Sequence, residues 1–275
     1  MKKIIFLILI NHVFSKVNFE ILNIPHNIYS FTVNEYSINE KFDYDKSYSL
    51  SVAKYPADIS YISFSNNNFF SFSFLDYGVL YDQINDDVLN SFSAYELFVE
   101  YKLKRNISSH FFYIKPSIVH SKIDSNTSTA IFCNLSFLYN NFSKGLFFSA
   151  NINNIGLIID DYLLNNNSVD LKYSISTLKN LPLKNIELGF NFIYYDFLKD
   201  YEYSLSINKK ISDRILFIFN YSSTRKKLNN DHMFTNIFSG LSSGIVIENN
   251  FYNLGIGIQS LSNAGYSYCM TLDFK

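Results

Sequence analysis

The sequence predicts an all-β protein, a transmembrane antiparallel β-barrel of the outer-membrane type with about fourteen strands. Three observations lead there. Apolar and polar residues alternate with a period of two along most of the chain, as they do in strands whose two faces meet different environments. The segments that alternate run for about 9–12 residues, which suits a tilted strand crossing a bilayer. The 275 residues are 48% hydrophobic and 18% aromatic but only 17% charged, with a mean hydropathy of +0.01. That is too apolar for a surface-rich soluble domain and too polar for a bundle of membrane helices. Strands that are apolar on one face only give such a middle value.

The chain opens with an export signal. Lys2 and Lys3 precede the unbroken apolar run Ile4–Ile10, which Val13 and Phe14 continue up to the small residue Ser15. Positive charge, a short apolar stretch and a small residue make a secretory signal peptide, assigned to residues 1–15, with the barrel in residues 16–275. The run is far shorter than the ~20 residues of a membrane helix. No cysteine follows it to carry a lipid anchor. Further along, Leu146–Ile159 is the most apolar stretch, and Ser149, Asn151, Asn153 and Asn154 interrupt it.

Alternation places strands at residues 47–55, 58–66, 69–78, 93–104, 111–123, 128–140, 146–156, 169–179, 185–196, 201–210, 214–226, 237–248, 251–260 and 265–275. In one, Tyr95, Leu97, Val99, Tyr101 and Leu103 form the apolar row and Ala94, Glu96, Phe98, Glu100 and Lys102 the other. The last is the cleanest: Tyr266, Tyr268, Met270, Leu272 and Phe274 alternate with Ser267, Cys269, Thr271 and Asp273. Turn-forming residues separate the rows, among them Asn66–Asn68, Lys104–Asn106, Asp124–Asn126, Asn165–Asn167, Lys209–Asp213 and Asn249–Asn250; Asn tolerates left-handed backbone and bonds its own chain. An even strand number leaves both ends of the barrel on one side. A soluble sandwich or propeller would use shorter strands and more Gly and Pro than the 9 and 4 present.

In a bilayer no backbone group can stay unpaired, so the strands must close on themselves. The apolar row then faces lipid, with Tyr near strand ends forming aromatic girdles. The inward row carries Ser, Asn, Glu and Lys, but also Phe98, Phe132, Leu138, Leu216 and Ile218. A filled or partly apolar lumen is expected, not a wide aqueous pore. The final strand, with Phe274 next to the end, looks like the signal read by the barrel insertion machinery, although Lys275 follows it.

Little in the chain suggests chemistry. A net charge of −1 leaves no Lys/Arg surplus for nucleic acid. Gly240–Gly244 fits G-x-S-x-G, but strand-like sequence follows it and no His comes after His232, so a nucleophile elbow is not expected. His12, His26, His110, His120 and His232 stand at no metal-ligand spacing. Cys133 and Cys269 are assigned to lipid-facing rows as small apolar residues, without a disulfide. Arg225–Lys227, with Lys209, Lys210 and Arg214 nearby, is the densest basic cluster; a solvated loop is the ordinary role, lipopolysaccharide phosphates or a partner the sharper one. The acidic pairs Asp86–Asp87 and Asp160–Asp161 lack the regular oxygen ligands of a calcium loop. No catalytic, cofactor-binding or metal residue is assigned, and no enzyme activity is expected.

From Ser47 onward the chain resembles the PorV/PorQ outer-membrane proteins, closest to the PorQ branch, which are similar to FadL-type barrels. The residues that carry this are Leu75–Gly78 followed by Ser91–Glu96, Tyr113–Ser121, Asn153–Gly156, Leu181–Leu183, Tyr221–Leu228, Gly240–Gly244, Gly255 and Asn263–Gly265. Residues 20–57 lack the Gly-Gly element and Asn-Pro-Ala segment of the family, with Lys54–Ala57 as a remnant. This speaks against an N-terminal plug. The resemblance implies a non-enzymatic accessory of type IX secretion in the outer membrane of a Gram-negative bacterium. Its partners would be surface attachment-complex proteins or the C-terminal sorting domains of cargo. The competing expectations are a FadL-like transporter for hydrophobic solutes, which should show a plug and an apolar lumen path, and a structural barrel.

Overall fold

The computed structural model describes residues 15–16, 19–33, 48–66, 69–84, 87–161, 167–181, 185–197, 199–223, 239–261 and 265–275. The predicted signal peptide, apart from Ser15, lies outside them, as do Arg225–Lys227, His232 and Asp86. Among the described residues, no helix is long and apolar enough to cross a membrane.

The strands are β1 (Tyr48–Lys54), β2 (Ser60–Asn66), β3 (Phe70–Ile84), β4 (Asp87–Tyr101, continued by Leu103–Ile107), β5 (His110–Ile123), β6 (Asn126–Asn141) and β7 (Leu146–Asp160). Then come β8 (Lys172–Leu181), β9 (Ile186–Tyr195), β10 (Asp200–Ser212), β11 (Ile215–Ser222), β12 (Leu241–Glu248), β13 (Tyr252–Ser260) and β14 (Tyr266–Phe274). Each pairs antiparallel with its sequence neighbours, and β14 closes on β1 with Phe274 opposite Tyr48 and Met270 opposite Val52. The protein is therefore a closed fourteen-stranded antiparallel barrel, with no edge left for backbone groups to go unpaired. Strand boundaries agree with the alternation to within a few residues, with two instructive exceptions. The β3–β4 hairpin extends well past the predicted ends at residues 78 and 93. Lys104–Asn106, expected as a turn, pairs instead with Tyr113, Phe112 and Phe111; the chain reverses at Ser108, which takes a positive φ of 55°. Polar residues mark where a strand leaves the apolar band, not where it ends.

Alternation also sets the faces. The outer wall is apolar and exposed: Ile118 is 49% exposed, Leu205 51% and Ile256 57%. A continuous surface of this kind is incompatible with water on all sides and matches a hydrocarbon environment. Aromatic rings band it near the strand ends, with Tyr203 against Tyr221, Phe192 against Tyr201 and Tyr48 against Phe64. The inner wall buries small polar residues, including Ser51, Ser73, Ser176, Ser204 and Thr271, together with the predicted Phe98, Phe132, Leu138, Leu216 and Ile218. Cys133 lies on the outward row of β6, between the exposed Ile131 and Leu135. Cys269 is a correction: it is buried inside, because it shares a phase with Ser267 and Thr271 rather than with the Tyr266 row. Both cysteines are free thiols.

The connections at one end are short: residues 67–69, 108–109, 142–145, 182–185, 213–214 and 249–251; Tyr48 and Phe274 also lie at that end. The other end carries the long connections 161–171 and 223–240. By the usual asymmetry of such barrels, the short-turn end faces the periplasm and the long-loop end faces outward. Lys209, Lys210 and Arg214 belong to the short-turn end, whereas β11 runs from there to Ser222 at the other. Arg225–Lys227, the cluster expected near them, lies outside the described residues.

Two motif segments of the resemblance coincide with strand irregularities. The β3–β4 register shifts between Asp76 and Val79, where Gly78 takes a φ of 73° and its N–H donates to Asp76 Oδ1 (3.0 Å). In the second segment, Asn154 has a φ of 66° and its N–H donates to Asn134 Oδ1 (2.8 Å) beside the shift in the β6–β7 register. Bulges bend strands at fixed places, and the residue types follow from the backbone they require.

Candidate functional site: the plugged lumen

The lumen is occupied by the chain's own N-terminal segment. Phe19, Ile21, Ile28 and Tyr29 are each at most 2% exposed. A 3-10 turn, Glu20–Asn23, packs against β3 and β4, and helix α1, Ile28–Val33, packs mainly against β11–β14. The lumen is filled, as its apolar inward residues led one to expect, and the segment that fills it is the N-terminal one that the missing family motifs had put in doubt as a plug. The segment carries no sequence signature of its own, since its partners lie far along the chain on strands that must first close around it. What could have pointed to it is its eight apolar residues, Phe19, Ile21, Leu22, Ile24, Ile28, Tyr29, Phe31 and Val33, which keep no period of two through the segment.

The upper part of the plug is held by Glu96 and by an apolar cluster. Glu96 projects from β4 and accepts from Ile21 N–H (2.8 Å), Glu20 N–H (3.4 Å) and the Tyr77 hydroxyl (3.0 Å). These backbone donors belong to a one-turn helix that cannot satisfy them internally. Around them Phe19 and Ile21 join Leu75, Phe98, Val119 and Phe132 in one buried cluster. Between turn and helix, the His26 ring stacks on Phe98 at 5.6 Å, and Phe98 stacks on Phe132. His26 Nδ1 lies 2.5 Å from the Tyr61 hydroxyl and 3.2 Å from that of Ser73, while Ser63 donates to the His26 carbonyl (2.6 Å). His26 sits on the plug, outside the spanning strands. Desolvation, and then Lys115 and Lys102, lower its pKa from 6.5 to about 4.

The lower part is the short helix. Asn27 caps it reciprocally: Asn27 Oδ1 accepts from Ser30 N–H and Ser30 Oγ accepts from Asn27 N–H, both at 3.0 Å. Ile28 N–H donates to Thr271 Oγ1 (2.9 Å), which also meets Ser51 Oγ (2.8 Å). Ile28 and Tyr29 pack with Leu216, Ile218 and Val246. Gly255 makes this approach possible, because a Cβ there would stand 2.6 Å from Ile28 Cγ2.

The plug leaves the inner wall of two kinds. Toward β3–β6 it is apolar, as above. Toward β8–β11 it is lined by Ser176, Asn191, Ser204, Ser206, Asn208 and Asn220, all buried. Asn191 Nδ2, Ser206 Oγ, Asn208 Oδ1 and both side-chain polar atoms of Asn220 find no hydrogen-bond partner among the described residues. Buried amides are nearly always paired, by protein or by ordered water, so this sector presents a polar, hydrogen-bonding face to whatever fills the lumen beside it.

Other sequence candidates have structural places. His110 stacks with Phe137 and Tyr139, and His120 Nδ1 meets Thr129 Oγ1 at 2.9 Å. Ser242 of Gly240–Gly244 lies within β12, opposite Asn220 and Gln259, and not in a strand-to-helix turn. Among the described residues, no group of three or more His, Cys, Asp or Glu side chains could hold a metal ion.

Fold and lumen together define a transmembrane β-barrel of the outer-membrane type, closed by an internal segment. Solved structures with a similar architecture include the KdgM porin (12% identity, TM-score 0.36, covering 83% of this chain and 98% of that one). They also include the Acinetobacter baumannii outer membrane protein Omp33 (9% identity, TM-score 0.47, 84% and 98%) and the NanC porin (10%, 0.32, 83% and 99%). This likeness concerns architecture alone. No protein-family model and no curated protein matches the chain.

Proposed function

We propose that this barrel is a gated passage of the outer membrane for a small amphipathic solute, with residues 19–33 as its gate. The observation that carries the proposal is the plug itself, docked across the lumen by a few directional contacts, chiefly those to Glu96, Ser63 and Thr271. A plug meant only to fill the core would bury apolar groups. This one is also held by polar contacts that water or a solute could replace. The two-sided wall indicates the solute class: an apolar portion beside Leu75, Phe98 and Phe132, and a hydrogen-bonding portion beside Asn191, Asn208 and Asn220.

The test is conductance and liposome flux of the purified full-length protein against a variant lacking residues 19–33. Heat-modifiable mobility would confirm that both are folded. The expected result is a closed wild type and an open deletion variant that passes a medium-chain carboxylate. A folded deletion variant that stays closed sinks the proposal.

A second reading is a non-enzymatic accessory of type IX secretion that binds cargo or an attachment-complex partner at the barrel mouth. The ordered sequence matches between Leu75 and Gly265 favour it. Crosslinking in the native membrane distinguishes the two. Recovery of exported proteins with a C-terminal sorting domain supports secretion; a bound apolar ligand with no protein partner supports transport.

A further inference from the structure

The two ends of the barrel carry opposite charge. At the long-loop end acidic side chains dominate, with Asp58, Asp124, Asp160, Asp161, Asp196 and Asp200 on or beside the connections. Two of the lysines there are tied to such acids, Lys54 to Asp58 (3.3 Å) and Lys199 to Asp196 (3.2 Å). At the short-turn end, Arg105, Lys144, Lys179, Lys209, Arg214 and Lys275 are all exposed, on strands or turns from β4 around to β14. At that end Asp213 is exposed, and the half-exposed Glu248 pairs with Lys210 (3.8 Å).

Several of these cations stand on outward rows just below the apolar band. On β10 the outward row runs Tyr201, Tyr203, Leu205, Ile207 and then Lys209. On β8 it runs Tyr173, Ile175, Thr177 and then Lys179. At ~3.3 Å per residue and a tilt of ~40°, Tyr201 and Lys209 stand about 20 Å apart along the bilayer normal. The lysines therefore follow directly below the apolar band, where headgroups begin. Arg105 is outward on the continuation of β4, opposite the outward Phe112. Lys275 is pinned at the same rim by its bond to the Asn249 carbonyl (2.8 Å).

We infer that this rim is a binding girdle for anionic phospholipid headgroups of the inner leaflet. A net-neutral headgroup offers each phosphate together with its own ammonium. An anionic one offers a phosphate that is not internally compensated, and a ring of cations that outnumbers the acids beside it favours it. The inference rests on the short-turn end facing the periplasm and is independent of whether the lumen conducts.

The test uses the full-length barrel in nanodiscs of phosphatidylethanolamine and phosphatidylglycerol, with retained lipids counted by native mass spectrometry. The wild type should enrich the anionic lipid by about threefold or more, an enrichment that 0.5 M salt weakens. Lys179→Gln/Lys209→Gln/Arg214→Gln should bring it close to unity while heat-modifiable mobility persists. Lys122→Gln, at the opposite end, should leave it unchanged. An enrichment absent in the wild type, or equal in the triple variant, overturns the girdle. A preference for lipid A over phosphatidylglycerol overturns it as well, by placing this rim in the outer leaflet.

Discussion

The two halves of the plug are held in different ways. The Glu20–Asn23 turn is anchored by one carboxyl group that accepts from two consecutive backbone N–H groups, inside an apolar cluster drawn mainly from β1–β6. The Ile28–Val33 helix is anchored by fit: Ile28 seats over Gly255, and a single hydroxyl, that of Thr271, meets its first N–H. The upper half is thus sensitive to hydrogen-bond chemistry and the lower half to volume. His26 joins them, and is the plug group most sensitive to pH. The contrast teaches that a gate can be fixed at two points by two kinds of force, so that changing one should leave the other docked.

The largest effect is expected at the lower half. Gly255→Val places a branched side chain where even a Cβ meets Ile28 Cγ2 at 2.6 Å. Overpacking against a strand that cannot retreat should cost about 3 kcal/mol of docking. Limited proteolysis should then cut near α1 while the Glu20–Asn23 turn stays protected, and pairing it with Ile28→Ala should restore part of the protection. Next comes Glu96→Ala, which leaves the buried N–H of Ile21 and the part-buried N–H of Glu20 without their acceptor and should cost about 2 kcal/mol. Hydrogen exchange at Ile21 should rise sharply, whereas Glu96→Gln, which keeps an acceptor, should raise it much less.

Acidification follows. His26 is neutral in the docked plug because its pKa there is lowered to about 4 from 6.5. Its contribution to docking is fully present above pH 6.5 and is lost as pH falls from 6.5 toward 4. Between pH 7 and pH 5 the open population should grow by roughly 20-fold. Conductance measured at the two pH values checks this, and His26→Phe, which keeps the stack on Phe98, should flatten the response. The smallest effect is Thr271→Val, which removes the acceptor of Ile28 N–H at nearly constant shape and should cost about 1 kcal/mol. Faster exchange confined to Ile28 is the expected readout.

The barrel was legible because its rule is local. Two-residue alternation assigns a face to Glu96, Phe98, Phe132 and Ile218 without reference to any partner, and the structure buries all four or nearly so. Where that rule was misapplied, as for Cys269, the phase of the neighbouring residues corrects it. The plug was not legible for the opposite reason. Its decisive contacts, Ile21 to Glu96 and Ile28 to Thr271, join residues 75 and 243 positions apart. Neither Glu96 nor Thr271 differs in sequence pattern from other inward polar residues.

The sequence alone therefore determined that strands form, how many there are, and which side of each is apolar, because backbone pleating and hydrocarbon solvation act on each residue singly. Only the tertiary structure decided what fills the barrel. An interior exists only once β14 has closed on β1. The affinity of residues 19–33 for it depends on hydrogen-bond and volume complementarity between surfaces that closure brings together.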